Sequence, residues 1–82
     1  MSRHLTIRQS RVLRYLQDRD RAATVRDITA DLRMNRTDVM NTLRLLDGQG
    51  YVTPDYGTFP ASFTITDEGR KALDAAREDD ES

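Results

Sequence analysis

The middle of the chain holds two short amphipathic segments that are separated by only three residues. The first segment places Val25, Ile28 and Leu32 on one side at helical spacing. The second segment has its apolar residues at positions i, i+4 and i+7, and these are Val39, Leu43 and Leu46. Two helices joined by so short a turn form a helix-turn-helix pair, and each must bury its apolar stripe against the rest of the domain.

Start and stop signals flank both segments. Thr24 followed by Asp27 three positions later is a capping pair for the first segment, and Asn35 is a favourable N-cap for the second. The turn between them is expected to use Met34 as its apolar plug. The second helix is expected to stop at residues 48–50, where two glycines flank Gln49, because glycine adopts the left-handed conformation that ends helices.

A further helix and a very short strand are predicted before this pair. Thr6 and Gln9 fit a capping box, so the first helix is expected to begin at Thr6. Its predicted apolar side consists of Ile7, Val12, Leu13 and Leu16. Residues 22–23 are expected to form the short strand.

A hairpin and a last helix are predicted after the pair. Residues 51–53 have strand composition, and residues 62–65 alternate between polar and apolar as an antiparallel partner would. Thr66 is expected to cap the last helix, whose narrow apolar stripe includes Leu73. The acidic end, residues 78–82, is expected to be a flexible tail.

The order of these elements is that of a winged helix domain. Residues 24–52 resemble the pattern of winged helix transcription regulators, with an apolar residue on each helix, a polar cap and the exit Gly50-Tyr51-Val52. Residues 63–73 are similar to the segment that closes the wing in MarR-like and PadR-like regulators. The resemblance covers residues 6–76. It implies one domain over residues 1–82 that is α+β and mainly helical, with a three-helix core, a β-hairpin wing and a C-terminal helix, ordered over about residues 6–77.

The sequence departs from this family pattern at several positions. Arg33 stands in the turn where many members have glycine, and Thr29 replaces the alanine usual inside the second helix. The hairpin carries no lysine or arginine between Val52 and Thr66, whereas many family wings place one in the minor groove. The wing tip, which we define as Tyr56, Thr58 and Phe59, is therefore expected to be a secondary DNA contact.

Charge and composition exclude several classes of function. Residues 1–49 carry ten arginines against six aspartates, a net charge of +4, whereas residues 50–82 carry a net charge of −5. The chain has no cysteine and one histidine, His4, so we expect no metal site and no disulfide. No apolar run approaches the roughly 20 residues that span a bilayer, which favours a cytoplasmic protein. We find no nucleophile–base pair, and expect neither an enzyme nor a cofactor or small-molecule ligand.

The polar face of the third helix is the candidate DNA-binding surface. A helix over about residues 36–47 is expected to lie in the major groove, where arginine binds guanine and asparagine binds adenine. Thr37 lies near the helix N-terminus, where free backbone N–H groups suit a phosphate. The candidate DNA-binding residues are Arg26, Arg36, Thr37, Met40, Asn41 and Arg44.

The sequence thus predicts a small transcription regulator that binds double-stranded DNA as a homodimer. The expected dimer interface joins the N-terminal segment to the last helix, with Leu73 at its centre and Leu5 beside it. The alternative is a protein-interaction winged helix within a transcription or replication assembly. The acidic C-terminal third and the uncharged wing favour that alternative.

Overall fold

The computed structural model describes residues 5–81, and side chains up to residue 76. Its elements are α1 (Ile7–Arg19), β1 (Ala23–Thr24), α2 (Val25–Leu32), α3 (Arg36–Gly48), β2 (Val52–Asp55), β3 (Ser62–Ile65) and α4 (Asp67–Glu81). The predicted architecture is confirmed: three helices form the core, β2 and β3 form a hairpin, and a helix follows the hairpin. His4 lies outside the described residues.

The predicted caps form through hydrogen bonds between residues close in sequence. The Thr6 hydroxyl accepts from the Gln9 N–H at 3.1 Å, and the Gln9 side chain accepts from the Thr6 N–H at 3.0 Å. Thr24 and Asp27 make the same reciprocal pair at the start of α2. The Thr24 N–H, as the largest influence, holds the pKa of the Asp27 carboxyl below its ordinary value. Both capping boxes therefore set the start of their helices.

The three strands form one antiparallel sheet in the order β1-β3-β2. Thr24 has extended backbone and pairs with Ser62, so β1 lies one residue later than predicted. Pro54 pairs with Phe63 inside β2, which is tolerated because β2 is an edge strand. The sheet connects the hairpin directly to the start of α2.

The core lies between the helices and the sheet, and its composition corrects one prediction. Its buried apolar residues are Val12, Leu13, Leu16, Ala23, Ile28, Val39, Leu43, Leu46, Tyr51, Val52 and Leu73. Ile7 was expected among them but is 80% exposed. It lies five positions before Val12, roughly 140° around the helix, and so points away from the core. Gln9 is buried in this region instead.

The turn between α2 and α3 contains a residue in the left-handed region. Arg33 has φ 53°, at the position where the sequence lacks the glycine that many family members have. The backbone carbonyl of Leu32 accepts a hydrogen bond from the Arg11 guanidinium at 2.8 Å, which satisfies one of the free carbonyls at the end of α2. Met34 is half-buried against the core, as its predicted role as a plug requires.

The start of α4 is tied to the end of α3. The Thr66 N–H donates to the Tyr51 carbonyl at 3.0 Å, and the Thr66 hydroxyl donates to the Gly50 carbonyl at 2.7 Å. The same hydroxyl accepts from the Gly69 N–H at 3.0 Å, which confirms Thr66 as the cap. These contacts fix the hairpin and α4 relative to α3.

Docking of α4 against α1 buries Leu73, which was predicted at the centre of a dimer interface. Leu73 is only 2% exposed and lies within the core of its own chain, so it is not available at the centre of an interface. Leu5 is half-buried against the same core. The helix continues to Glu81, beyond the predicted boundary at residue 77. The flexibility of residues 78–82 stays a prediction, and the side chains from residue 77 onward lie outside the described residues.

Candidate nucleic-acid interface

An open cleft of about 720 Å³ lies between α2, α3 and the hairpin. The α2 wall carries Arg26, the hairpin wall carries Tyr56 and Pro60, and apolar side chains such as Phe63 lie between them. The α3 wall consists of Arg36, Met40 and Arg44, which we call the cleft strip. The cleft therefore combines a partly apolar lining with arginines from two helices.

The cleft divides the exposed face of α3 into two strips. The buried side of α3 consists of Val39, Thr42, Leu43 and Leu46. Arg36, Met40 and Arg44 follow one another at intervals of four, so they form a row along the cleft. Thr37 and Asn41 are exposed one position further around and do not line the cleft; we call them the outer strip. The five residues predicted on this helix are therefore all exposed, but on two distinct surfaces.

The arginines of the cleft have no partners among the described residues. The guanidinium groups of Arg26, Arg36 and Arg44 make neither a hydrogen bond nor an ion pair with residues 5–76, and one carboxylate, Asp47, lines the cleft beside them. Three arginines against one aspartate give the cleft a net charge of +2. Guanidinium groups without a protein partner are available for an anionic ligand such as phosphate.

Most other cations of the described part are already paired. Arg8 pairs with Asp38 at 3.6 Å, and α4 contains the local pairs Arg70–Asp67 and Lys71–Glu68. Arg14 and Arg33 are also without a partner in the described residues but lie outside the cleft, and Arg21 interacts electrostatically with Asp27. The cleft is thus the place where unpaired arginines from two elements face one another.

An ion-pair network between α1 and α2 was missed by the sequence analysis. Arg19 lies 3.3 Å from Asp27 and 3.8 Å from Asp31, and it also donates to the hydroxyl of Tyr15. The Tyr15 hydroxyl donates to Asp31. The pKa of Tyr15 is raised, mainly because burial desolvates its hydroxyl. The sequence did carry a signal for this network, because Tyr15 and Arg19 on α1, and Asp27 and Asp31 on α2, are each spaced i, i+4. The network sets how α2 lies against α1 and does not contribute to the cleft.

The start of α3 differs in one detail from the expectation. The Thr37 N–H donates to the Asn35 side chain at 2.7 Å, so it is not one of the free backbone N–H groups that were expected near this residue. An N-cap takes one of the unpaired backbone donors of a helix, and here it takes this one. The polar group that Thr37 still has available for a contact is therefore its side-chain hydroxyl.

The wing tip projects both of its aromatic side chains into solvent. Tyr56 is 77% exposed and Phe59 is fully exposed at 103%, so neither folds back over the hairpin. Thr58 is exposed between them and its hydroxyl donates to the Pro60 carbonyl at 3.2 Å. The Phe59–Pro60 peptide bond is cis. Tyr15 and Tyr51 belong to the core or its edge, as expected.

Within residues 5–76, no three His, Cys, Asp or Glu side chains come together in a way that would hold a metal ion. No helix in the described part of the chain is long and apolar enough to cross a bilayer.

The helix-turn-helix pair with its hairpin and following helix defines a winged helix domain. The chain belongs to the MarR family, whose family model matches residues 5–57. These residues run from α1 through β2 and include the whole helix-turn-helix pair. The predicted family is thereby confirmed, and no curated protein sequence matches the chain.

Solved structures show the same fold. A MarR family transcription regulator superposes with a TM-score of 0.79 at 22% identity over 93% of this chain and 52% of its own. The MepR–DNA complex of S. aureus gives 0.76 at 25% identity, covering 90% of this chain and 55% of that one. ZitR of Lactococcus lactis in complex with DNA gives 0.70 at 22% identity, covering 95% and 52%. The chain therefore spans about half the length of these proteins.

Proposed function

We propose that this domain binds duplex DNA sequence-specifically, as part of a transcription regulator, with α3 in the major groove. The observation that carries the proposal is the row of unpaired arginines beside the exposed polar face of α3. Phosphate contacts supply much of the affinity of such complexes, and guanidinium groups suit them well. MepR and ZitR, which share the fold, have been solved with DNA.

We assign the outer strip to the bases. Thr37 and Asn41 lie on the side of α3 that faces away from both the core and the cleft. Asn41 has the donor and acceptor needed for a bidentate contact with adenine in the major groove. The Thr37 hydroxyl, beside it on the preceding turn, is suited to a flanking base or phosphate.

We assign the cleft strip to the DNA backbone. When a helix lies in the major groove and a wing lies beside it, the strand between them runs along the cleft. Arg36 and Arg44 face that strand from α3, and Arg26 faces it from α2. These arginines then set affinity and register, while the outer strip sets sequence preference. Met40 lies between the two arginines as an apolar contact.

The domain contains one helix-turn-helix pair, and we propose that it acts as a homodimer. One pair contacts one half-site, and two-fold symmetry places a second pair about 34–36 Å away, one helical turn along the duplex. Leu73 is excluded from the interface by its burial, whereas Ile7 is exposed on α1 near Leu5. Sedimentation at tens of micromolar tests the proposal, and only monomer with and without DNA would refute it.

We propose binding rather than catalysis as the activity. Two carboxylates of α4, a residue type used in acid–base chemistry, are instead engaged in ion pairs: Asp67 pairs with Arg70 at 3.3 Å and Glu68 pairs with Lys71 at 3.6 Å. Both also lie in the first turn of α4, where the helix dipole favours negative charge. A regulator of this kind acts on chromosomal DNA, which we expect it to reach in the cytoplasm.

Selection of bound sequences from a random duplex pool tests the proposal directly. A selected duplex and a random duplex are then titrated at two salt concentrations with Asn41→Ala, Arg36→Ala and Arg44→Ala. We expect Asn41→Ala to cost about 1–3 kcal/mol on the selected duplex alone. Each arginine variant is expected to weaken both duplexes and to lower the salt slope by about one.

Arg14→Ala is the matched control. Arg14 is also exposed and unpaired in the described residues, but it lies on α1 and does not line the cleft. Arg14→Ala removes the same charge as each arginine variant of α3, so it separates the loss of a specific contact from the effect of a change in net charge. If the three α3 variants bind like Arg14→Ala, α3 does not lie in the groove. The exposed aromatic wing tip would then favour the protein-interaction function.

A further inference from the structure

The wing tip presents two aromatic side chains that the DNA contacts assigned above do not use. Phe59 is fully exposed and Tyr56 is 77% exposed, although burial of a phenylalanine side chain normally stabilises a protein. Phe59 in particular has no polar atom that would benefit from water. What makes the tip a candidate contact surface is that two exposed aromatic side chains lie on the same loop of the hairpin.

The loop that carries Phe59 is held by its own hydrogen bonds. The Gly57 N–H donates to the Asp55 side chain at 2.8 Å, and the Thr58 hydroxyl donates to the Pro60 carbonyl. The Thr58 and Ser62 hydroxyls lie 3.4 Å apart across the base of the loop. These contacts present Phe59 outward from a shaped loop, so little conformational freedom is lost when it binds.

The position of the tip relates it to the same ligand as the arginines. Tyr56 and Pro60 line the cleft opposite Arg36 and Arg44, and Phe59 immediately precedes Pro60. With α3 in the major groove and one strand along the cleft, the tip lies beyond that strand, over the minor groove. This step rests on the proposed function.

The chemistry of the tip excludes an ionic contact in that groove. The segment between Val52 and Thr66 has no lysine or arginine, and its charged residue is Asp55. Apolar side chains contribute in the minor groove by inserting between base pairs, which unstacks one step and kinks the duplex by about 20–90°. Tyr56 lines the cleft and lies nearer the sugar–phosphate strand, which leaves Phe59 as the inserting side chain.

We propose that Phe59 is an apolar wedge that inserts at one base step from the minor groove and bends the bound DNA. Such a kink bends the duplex toward its major groove. Pyrimidine–purine steps are the most easily unstacked, so the wedge adds a preference for such a step beneath the wing. Sequence preference at that position then arises from deformability, without a hydrogen bond to a base.

End-to-end energy transfer on a doubly labelled duplex, chosen by the random-pool selection, tests the wedge. We expect the parent protein to bend the duplex, Phe59→Ala to abolish the bend, and Phe59→Leu to retain most of it. Tyr56→Ala is the matched control, since it removes the other exposed aromatic and is expected to keep the bend. A 2-aminopurine at the step beneath the wing should brighten with the parent and with Phe59→Leu, but not with Phe59→Ala.

Affinity is measured in the same titrations. Phe59→Ala should weaken binding less than tenfold, because the cost of unstacking disappears together with the inserted contact. Circular dichroism checks the fold of each variant, and full exposure of Phe59 means that no core contact is lost.

The outcomes separate the wedge from the proposed function. A straight duplex that still depends on Arg36 and Arg44, or a bend that persists in Phe59→Ala, overturns the wedge and leaves the proposed function standing. In that case we expect the wing tip to contact a protein partner instead of DNA. Failure of the parent to bind any selected duplex overturns both. Loss of the bend and of the 2-aminopurine signal in Phe59→Ala alone supports the wedge.

Discussion

Replacing Gly69 by alanine probes the junction on which the arrangement of the wing depends. Gly69 is buried where α4 crosses the end of α3. A Cβ atom at this position would lie 2.3 Å from the Tyr51 carbonyl oxygen and 2.9 Å from Cγ1 of Ile65. Carbon–oxygen contacts in proteins are about 3.3–3.6 Å even when they are favourable, so α4 must move by about 1 Å.

The expected loss of stability can be built from these contacts. Overpacking a close contact costs typically about 1–3 kcal/mol. The movement also strains the hydrogen bond from Thr66 to the Tyr51 carbonyl, which contributes about 1 kcal/mol. Alanine offsets about 0.5–1 kcal/mol of this loss in the free energy of unfolding, because it is a better helix former than glycine. We therefore expect Gly69→Ala to lower the free energy of unfolding by about 1–3.5 kcal/mol, which corresponds to a loss in Tm of roughly 4–28 °C.

Thermal and urea unfolding followed by circular dichroism measures this change. Gly48→Ala is the matched control, because Gly48 ends α3 and an added Cβ would meet nothing within 4 Å. The control should be unchanged or more stable by up to about 1 kcal/mol. Equal stability of the two variants would refute the argument that Gly69 is required for the close approach of α4 to Tyr51.

Three further predictions follow from the core, the caps and the wing. Leu73→Ala should cost about 2–5 kcal/mol in unfolding experiments, because Leu73 is buried in its own chain, and a loss of dimer without loss of monomer stability would contradict this. The lowered pKa of Asp27 means that its carboxylate stabilises the fold above its ordinary pKa and that this contribution is lost as the pH falls through the folded value. Asp27→Asn should thus be less stable at neutral pH and show a smaller loss of Tm on acidification; an unchanged acid profile would argue against the cap. Replacing Tyr56 and Phe59 together by alanine should weaken DNA binding by less than tenfold, about 1.4 kcal/mol, in a gel-shift titration, and a larger loss in a folded variant would make the wing a principal contact.

Contacts between residues close in sequence were predictable from the sequence. The capping boxes at Thr6 and Thr24 join residues three positions apart, so the residue types alone define the hydrogen bonds. The buried stripe of α3 follows from helical periodicity in the same way, as does the glycine-rich end of the helix. The family followed from these local patterns taken together, and the match to residues 5–57 confirms it.

Which apolar residues of the first and last helices are buried was decided only by tertiary packing. Ile7 and Leu73 both belong to predicted apolar stripes, yet Ile7 is exposed and Leu73 is buried. Periodicity assigns a residue to a face of its helix but does not say which part of that face another element covers. Leu73 is covered because α4 docks against α1, and Gly69 permits the close approach of α4 to Tyr51 in the segment between α3 and β2.

The sequence by itself determined which residues of α3 are exposed, and the tertiary structure decided how they are divided. Helical spacing places Arg36, Asn41 and Arg44 on the polar side of α3. The hairpin then lies beside one half of that side, because Thr66 bonds the carbonyls of Gly50 and Tyr51 and so sets the direction of the wing. Arg36 and Arg44 thereby line a cleft, whereas Asn41 stays outside it. Hydrogen bonds that join residues some 15 positions apart fix this arrangement, and no local pattern of residue types specifies them.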